Sequence, residues 1–325
     1  MERLFARGAR VAFIGDSITK HGRAVTYVQD YYCTHLPERK VRIYNLGIAG
    51  DEATGACQRF DEIMRIHPTE AVVTFGVNDM GVNYYASAEP TEGDLTGRAS
   101  CILRHSEAIC RLAEMLSAEG MPITLCSAVG RDEVMPGEGG LITHGATDAL
   151  LTMYRENCSA LGAGLKSTVD YLTPMQALQA ELAAIGGPSL FSPDRTHPSP
   201  LGQEVMACVF LASQGLPVGI PSAAAIAAGW RLPPFSERVR RIHCKSQIIR
   251  NLHYIYPHQS SCTEGMDLPA RIAYWRRRLE EAGPPQTAYD RYFRAQCLHY
   301  VENAAHEEEY AAELEEMMQA LYPTV

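Results

Sequence analysis

The sequence predicts an α/β protein: a three-layer α/β/α sandwich on a parallel five-stranded sheet, followed by a helical C-terminal extension. The first observation is a set of five short runs rich in β-branched and other apolar residues, which are typical of buried strands. These runs cover residues 10–14, 41–46, 71–75, 123–128 and 167–171. The second observation is that stretches of helical period lie between the runs. Strands that alternate with helices form parallel sheets with right-handed crossovers, hence helices on both faces.

The helices follow from apolar spacing and from residues that start or stop helices. We expect them at about residues 25–36, from 51 to the stop signal at 67–68, and at 99–118, 145–160, 174–185 and 200–213. The last has the clearest start, because Ser199 suits the N-cap and Pro200 the first helical position. Ligands of parallel sheets bind at the carboxyl ends of the strands, so functional residues should follow strands.

The chain changes character after Leu216, where a Pro-, Ala- and Gly-rich stretch leads into charged, helical sequence. This change predicts two parts, residues 1–216 and an extension over residues 217–325, with long helices at about 268–282 and 288–321. The extension carries the aromatic residues Trp275, Tyr289, Tyr292, Phe293 and Tyr300. Three roles remain open for it: packing against the sandwich, forming a lid over a site at the sheet edge, or forming the interface of a homo-oligomer.

Composition excludes several classes of function. The net charge of the 325 residues is -9 with both signs interleaved, which argues against a nucleic-acid partner. The ten cysteines have neither paired nor metal-like spacing, so we predict no disulfide framework, no metal and no cofactor. The sequence contains no apolar run long enough for a membrane span and no secretory signal, which predicts a cytoplasmic protein without a membrane partner.

Polar residues that can carry chemistry follow three of the predicted strands and recur once far downstream. The strand-end segments are Gly15-Asp16-Ser17-Ile18-Thr19, Gly47-Ile48-Ala49-Gly50 and Gly76-Val77-Asn78-Asp79, and the downstream segment is Asp194-Arg195-Thr196-His197-Pro198. Together they supply a nucleophile, a base, a carboxylate and hydrogen-bond donors for an oxyanion. The spacing of three between Asp194 and His197 lets the carboxylate reach Nδ1 of the ring within one loop.

GDSIT, the glycine of GIAG, GVND and DRTHP, in this order, resemble the four sequence blocks of the SGNH hydrolases, also called GDSL lipases or esterases. The resemblance covers about residues 9–214 and implies a flavodoxin-like sandwich and a serine esterase or acylhydrolase that forms an acyl-enzyme. It implies that Ser17 is the nucleophile, with His197 as the base and Asp194 as its orienting carboxylate. It also implies an oxyanion hole made by the N–H groups of Ser17 and Gly50 and the side-chain amide of Asn78.

Asp16 and Asp79 also match family positions, and we expect them to support the backbone near the site. The loops over residues 80–98 and 130–144 leave the carboxyl edge of the predicted sheet and should determine specificity. Tyr84 and Tyr85, in the first loop, are candidates for substrate contact, and local packing is the alternative for both. Tyrosines near polar groups suit a sugar ring, which favours a small-molecule or carbohydrate ester with a short acyl group, an acetyl group among the candidates.

Two other classes stay open at this stage. An acyltransferase would use the same residues but deliver the acyl group to an alcohol instead of water. A non-catalytic binding module of flavodoxin-like fold would need a Gly/Ser/Thr-rich phosphate loop after the first strand, which GDSITKHG matches poorly. The DRTHP segment, for which a nucleotide-binding protein has no use, favours the enzyme.

Overall fold

A single all-parallel sheet forms the centre of the molecule. The structure, a computed structural model, describes residues 3–135, 140–253, 266–286 and 288–322. The strands are β1 (Arg10–Gly15), β2 (Arg42–Gly47), β3 (Glu70–Thr74), β4 (Ile123–Cys126) and β5 (Ser167–Val169). Their order is β2-β1-β3-β4-β5, the flavodoxin-like order. The predicted sheet is therefore confirmed, and each strand lies within two residues of its expected bounds.

The helices surround the sheet and continue into the extension. In chain order they are α1 (Ser17–His21), α2 (Arg23–His35), α3 (Ala53–Gln58), α4 (Phe60–Met64), α5 (Glu92–Ala118), α6 (Ala146–Leu161), α7 (Leu172–Ala184), α8 (Pro200–Ser213), α9 (Ala223–Ala227), α10 (Glu237–His253), α11 (Leu268–Glu281), α12 (Ala288–Asn303) and α13 (Glu307–Gln319). Single 3₁₀ turns lie at Pro37–Arg39, Val82–Tyr85, Gly162–Gly164 and Ala304–His306.

Alternate residues of β1 point into two separate cores, as the period of two in a strand requires. Val11 and Phe13 belong to a core completed by α2 and α8. Ala12 and Ile14 belong to a second core completed by α3, α4 and α5. Both faces of the sheet are thus covered, which confirms the three-layer α/β/α sandwich.

Two predicted helices are interrupted. The helix expected from residue 51 to 67 is split into α3 and α4 at Arg59, whose backbone is not helical. The Arg59 guanidinium donates to the Asp51 carboxylate and to the carbonyl of Leu46, both at 2.9 Å. The helix expected over residues 288–321 is divided by the 3₁₀ turn at Ala304–His306, where Ala304 is buried in a small core of the extension.

The extension packs against the sandwich at β2, an edge strand. An apolar cluster forms around Tyr44. It contains Val239 and Ile242 of α10 and Met318 near the C-terminal end of α13. Covering an edge strand removes a surface that would otherwise pair with other chains. Trp275 belongs to the separate small core of the extension. The side chains of Tyr289, Tyr292 and Phe293, singled out from the sequence, lie outside the described residues.

The extension and the sandwich also enclose a cavity of about 600 Å³ beside β2, and Ser17 does not line it. Within the described residues, no helix combines the length and the apolar character that crossing a bilayer requires.

Candidate active site

Ser17 lies at the carboxyl end of β1, where the chain turns directly into α1. Asp16 is the N-cap of α1, and its carboxylate accepts a hydrogen bond of 2.8 Å from the N–H of Ile18. Asp16 is only 2% exposed. Burial raises the pKa of Asp16 to about 7, although the hydrogen bond from Ile18 opposes this change. The cap holds Ser17 in place as the first residue of the helix.

His197 joins Ser17 to Asp194. The Oγ atom of Ser17 lies 2.7 Å from Nε2 of His197, and Nδ1 of His197 lies 2.6 Å from Oδ2 of Asp194. The other oxygen of Asp194 accepts hydrogen bonds of 2.9 Å from the N–H groups of Thr196 and His197. Loss of water around Asp194 would by itself raise its pKa. The hydrogen bonds from the His197 ring and the two N–H groups outweigh this effect and hold the pKa well below its ordinary value.

The loop that carries Asp194 and His197 is braced from residues 131–135. Arg195, in the left-handed region at φ 62, is buried, and its guanidinium donates to the carbonyls of Asp132 and Met135. The N–H of Asp132 donates to the carbonyl of Arg195 at 2.9 Å. This part of the expected specificity loop therefore supports the Asp194–His197 loop. Residues 136–139 of the same loop lie outside the described residues.

A cavity of about 560 Å³ opens above Ser17. Small-molecule sites commonly measure roughly 300–1,000 Å³, so its size suits such a ligand. Gly50, Asn78, Asp194 and His197 line it together with Ser17. The structure thus brings the five residues singled out for chemistry to one place, at the carboxyl edge of the sheet.

Gly50 and Asn78 line the cavity beside Ser17, and both carry N–H groups. Gly50 has φ 74, a conformation that favours glycine, in the turn between β2 and α3. The amide nitrogen of Asn78 donates to the carbonyl of Asp51 at 2.8 Å, which fixes the orientation of the side chain. A primary amide has two N–H groups, so a second one can serve a ligand.

Comparison with known proteins agrees with this geometry. The sequence profile of the GDSL-like lipase/acylhydrolase family matches residues 13–205, more than half of the chain. The chain belongs to the GDSL-like lipase/acylhydrolase family. It is a carboxylic ester hydrolase of the SGNH type, and the sequence resemblance is confirmed.

Solved structures of the same fold align with either nearly the whole chain or about two thirds of it. BT4096, a gut microbial diltiazem-metabolizing enzyme, is 18% identical with a TM-score of 0.69 over 99% of this chain and 97% of its own. A catalytic mutant of Axe2, an acetylxylan esterase from Geobacillus stearothermophilus, is 22% identical with a TM-score of 0.50 over 66% of this chain and 97% of its own. The acetyl xylan esterase AlAXEase is 17% identical with a TM-score of 0.50, over 62% and 98% respectively. No curated protein sequence matches this chain.

Asp79, beside Asn78, ties two segments of this hydrolase together. Its carboxylate accepts hydrogen bonds of 3.0 Å from the N–H of Ala53 and 3.1 Å from the N–H of Gly76. These bonds join the start of α3 to the turn that follows β3. Asp79 is buried, and its contacts are made within the chain and need no substrate.

Tyr84 and Tyr85 do not line the cavity at Ser17. Tyr85 is 2% exposed, and the Arg98 guanidinium lies 4.1 Å from the centre of its ring. Tyr84 packs beside Gly97 of α5. The expectation of an open loop over residues 80–98 is wrong in its second half, because Thr91 and Asp94 form a capping box that starts α5 at Glu92. The two tyrosines are therefore used for local packing.

Sequence reasoning missed several other side chains that line the cavity. Lys20 and His21 line it from α1, and Gln247, Asn251 and Gln296 line it from the extension. Positions three and four residues after Ser17 share its side of a helix, so the sequence offered a signal for the first two. Burial lowers the pKa of Lys20 to about 8, and the nearby charge of Arg250 adds to the effect. The three carboxamides belong to no motif that marked them in advance.

Proposed function

We propose that this hydrolase cleaves short-chain acyl esters through a triad of Ser17, His197 and Asp194. The observation that carries the proposal is the chain of contacts from Ser17 Oγ to His197 Nε2, at 2.7 Å, and from His197 Nδ1 to Asp194 Oδ2, at 2.6 Å. A serine, an imidazole and a carboxylate in this order are the parts that nucleophilic acyl transfer requires. Their position at the floor of an open cavity gives an ester access to them.

In the first half of the reaction, Oγ of Ser17 forms a bond to the ester carbonyl carbon while Nε2 of His197 accepts the hydroxyl proton. Asp194 stabilises the resulting imidazolium ion. The N–H groups of Ser17 and Gly50 and the amide of Asn78 hold the negative oxygen of the tetrahedral intermediate. The bond to the alcohol oxygen then breaks, and His197 returns the proton to the departing alcohol.

In the second half, water attacks the acyl-enzyme as His197 removes one of its protons. A second tetrahedral intermediate forms in the same oxyanion hole and collapses, and Ser17 regains its proton. The products are a carboxylic acid and the free serine hydroxyl. Because Asp194 has a pKa well below its ordinary value, it stays ionised throughout and keeps its partner correctly oriented.

The lining of the cavity supports a short acyl group and a polar alcohol. Among its described lining residues, only Ala49 and Gly50 lack a polar side chain. A long acyl chain needs a continuous apolar channel, since burying hydrocarbon against polar groups gains little. An acetyl group on a carbohydrate fits this lining, and Axe2 and AlAXEase, which share the fold, are named acetylxylan esterases.

Three measurements test the proposal. The purified protein is expected to turn over p-nitrophenyl acetate much faster than p-nitrophenyl palmitate, and the reverse preference would exclude a short-chain esterase. A fluorophosphonate probe followed by peptide mass spectrometry is expected to label Ser17. Ser17→Ala and His197→Ala should each lower kcat by at least about 10³-fold with an unchanged circular dichroism spectrum. Substantial turnover by either variant would contradict the triad.

Three further expectations from the sequence stand as proposals. We place the protein in the cytoplasm, we divide it at residue 216, and we regard the extension as a surface for a homo-oligomer. Cell fractionation tests the first and limited proteolysis the second. Sedimentation at several protein concentrations tests the third.

A further inference from the structure

We propose that the C-terminal extension forms the alcohol-binding side of the active site, where Gln247, Asn251 and Gln296 recognise hydroxyl groups of a saccharide leaving group. The inference rests on the proposed function, because it concerns the alcohol half of the same ester. It assigns to the extension a direct part in substrate choice.

The three carboxamides meet at the nucleophile although they come from different helices. Gln247 and Asn251 lie one turn apart on α10, and Gln296 lies on α12. All three line the cavity of about 560 Å³ that also contains Ser17, Gly50 and His197. A carboxamide offers both a donor and an acceptor without a net charge, as a hydroxyl group does. A set of such groups beside the scissile bond therefore suits a neutral alcohol with several hydroxyls.

Gln296 has an acceptor that the described residues leave without a hydrogen bond. Its Oε1 atom is buried, and no described residue donates a hydrogen bond to it. A buried acceptor without a donor is costly, so rotation of the Gln296 carboxamide that turns Oε1 toward the cavity and a ligand donor would be favourable. A hydroxyl hydrogen is such a donor. A carboxylate or an ether oxygen would instead place one acceptor against another, and a hydrocarbon would leave the atom unsatisfied.

Gln247 links this recognition surface to the catalytic serine. Its amide nitrogen donates to the carbonyl of His21 at 2.8 Å and to the carbonyl of Lys20 at 3.3 Å. Both carbonyls belong to α1, the helix that begins at Ser17. With its nitrogen held in this way, the side chain has a fixed orientation relative to the nucleophile. The extension can therefore position an alcohol at a defined distance from Ser17 Oγ.

The experiment compares two secondary acetates of similar ring size. One is a methyl glucoside acetylated at a single secondary hydroxyl group, O2, which keeps its other hydroxyls free. The other is cyclohexyl acetate, which carries no hydroxyl group. We expect the wild-type protein to have a higher kcat/KM for the glucoside. Gln296→Met keeps the length of the side chain but removes its hydrogen bonds, and it should lower the ratio of the two kcat/KM values by about ten-fold or more. Asn251→Ala should shift the ratio in the same direction, and it carries the test if Gln296→Met does not fold.

The matched control is Glu302→Met, on the same helix as Gln296 but exposed to solvent, which should leave the ratio as in the wild type. A wild-type protein without preference for the glucoside, or equal losses on both esters in the two cavity variants, would overturn the assignment. Failure of the proposed function looks different: the wild-type protein would then hydrolyse neither of these esters nor p-nitrophenyl acetate. Turnover of p-nitrophenyl acetate with an unchanged ratio would refute only the role of the extension.

Discussion

The Nε atom of Arg250 lies 3.1 Å from the carbonyl oxygen of Lys20 and donates a hydrogen bond to it. Lys20 is three residues after Ser17 in α1, whereas Arg250 belongs to α10 of the extension. Arg250 is 4% exposed, and burial lowers the pKa of its guanidinium to about 9. A segment more than 200 residues away thus holds the end of the helix on which the proposed nucleophile lies.

Replacement of Arg250 tests whether this contact matters for catalysis. Arg250→Met keeps most of the volume but removes the hydrogen bond to Lys20, so α1 should shift slightly against His197. Small displacements of reacting groups have large effects on rate, and we expect kcat for p-nitrophenyl acetate to fall by about ten-fold or more with a smaller change in KM. Arg240→Met, at an exposed position of the same helix, is the control. Wild-type kcat in Arg250→Met would mean that the extension does not position Ser17.

Gly47 allows β2 to approach the backbone of α1. A Cβ atom added at this position would lie 2.3 Å from the amide nitrogen of Lys20 and 2.9 Å from the carbonyl oxygen of Asp16. Both are backbone atoms, so the helix itself would have to move. We expect Gly47→Ala to lower kcat by roughly 100-fold, because Ser17 would be displaced from the oxyanion donors. Gly219→Ala, where an added Cβ would meet no atom within 4 Å, should behave as the wild type in the same assay.

The sequence patterns were sufficient to predict the sheet, whereas the meeting of Ser17 with Asp194 and His197 was predicted from the resemblance to the SGNH sequence blocks. Strand ends of a parallel sheet converge at one edge, so the serine after β1 and the asparagine after β3 had to be neighbours. The start of α8 was predictable for a local reason: Ser199 accepts a hydrogen bond from the N–H of Gly202 and Pro200 follows it. Neither rule requires knowledge of how the helices pack.

Contacts that depend on tertiary packing were not predictable. Gln247 and Gln296 reach the cavity only because α10 packs against β2 and α12 packs against α10. Neither helix carries a motif. The placement of Tyr85 beneath Arg98 likewise depends on where α5 begins, and that start was expected several residues later. A polar side chain in a helix is predicted to be solvent-exposed as long as the packing of that helix is unknown.

Asn78 should contribute to the transition state rather than to substrate binding. Its amide lies in the cavity with Gly50 and is oriented by the hydrogen bond to the carbonyl of Asp51. Asn78→Ala removes one donor to the oxyanion, and such losses commonly lower kcat by about 10² to 10³-fold. We expect KM for p-nitrophenyl acetate to change little, since the ground-state carbonyl carries less charge. A variant with a large increase in KM and an unchanged kcat would point to substrate binding instead.

Asp16 should make the stability of the protein depend on pH in a characteristic direction. Burial raises the pKa of Asp16 from 3.8 to about 7. Between about pH 4 and pH 7, the unfolded chain therefore releases this proton while the folded chain keeps it. The folded state binds more protons in this window, so the free energy of unfolding falls as the pH rises through it and levels off above about pH 7.

Asp16→Asn removes this titration but keeps a good N-cap residue for α1. Relative to the wild type, the variant should gain about 2.6 kcal/mol of unfolding free energy between pH 5 and pH 8, since the wild type loses about 1.4 kcal/mol for each pH unit between pH 5 and pH 7. Urea denaturation at the two pH values measures the difference, and other titrating groups contribute equally to both proteins. Asp94→Asn is the control, because hydrogen bonds from Thr91 lower the pKa of Asp94 and leave it ionised at both pH values. A stability difference between Asp16→Asn and the wild type that is the same at pH 5 and pH 8 would mean that Asp16 is already ionised in the folded protein.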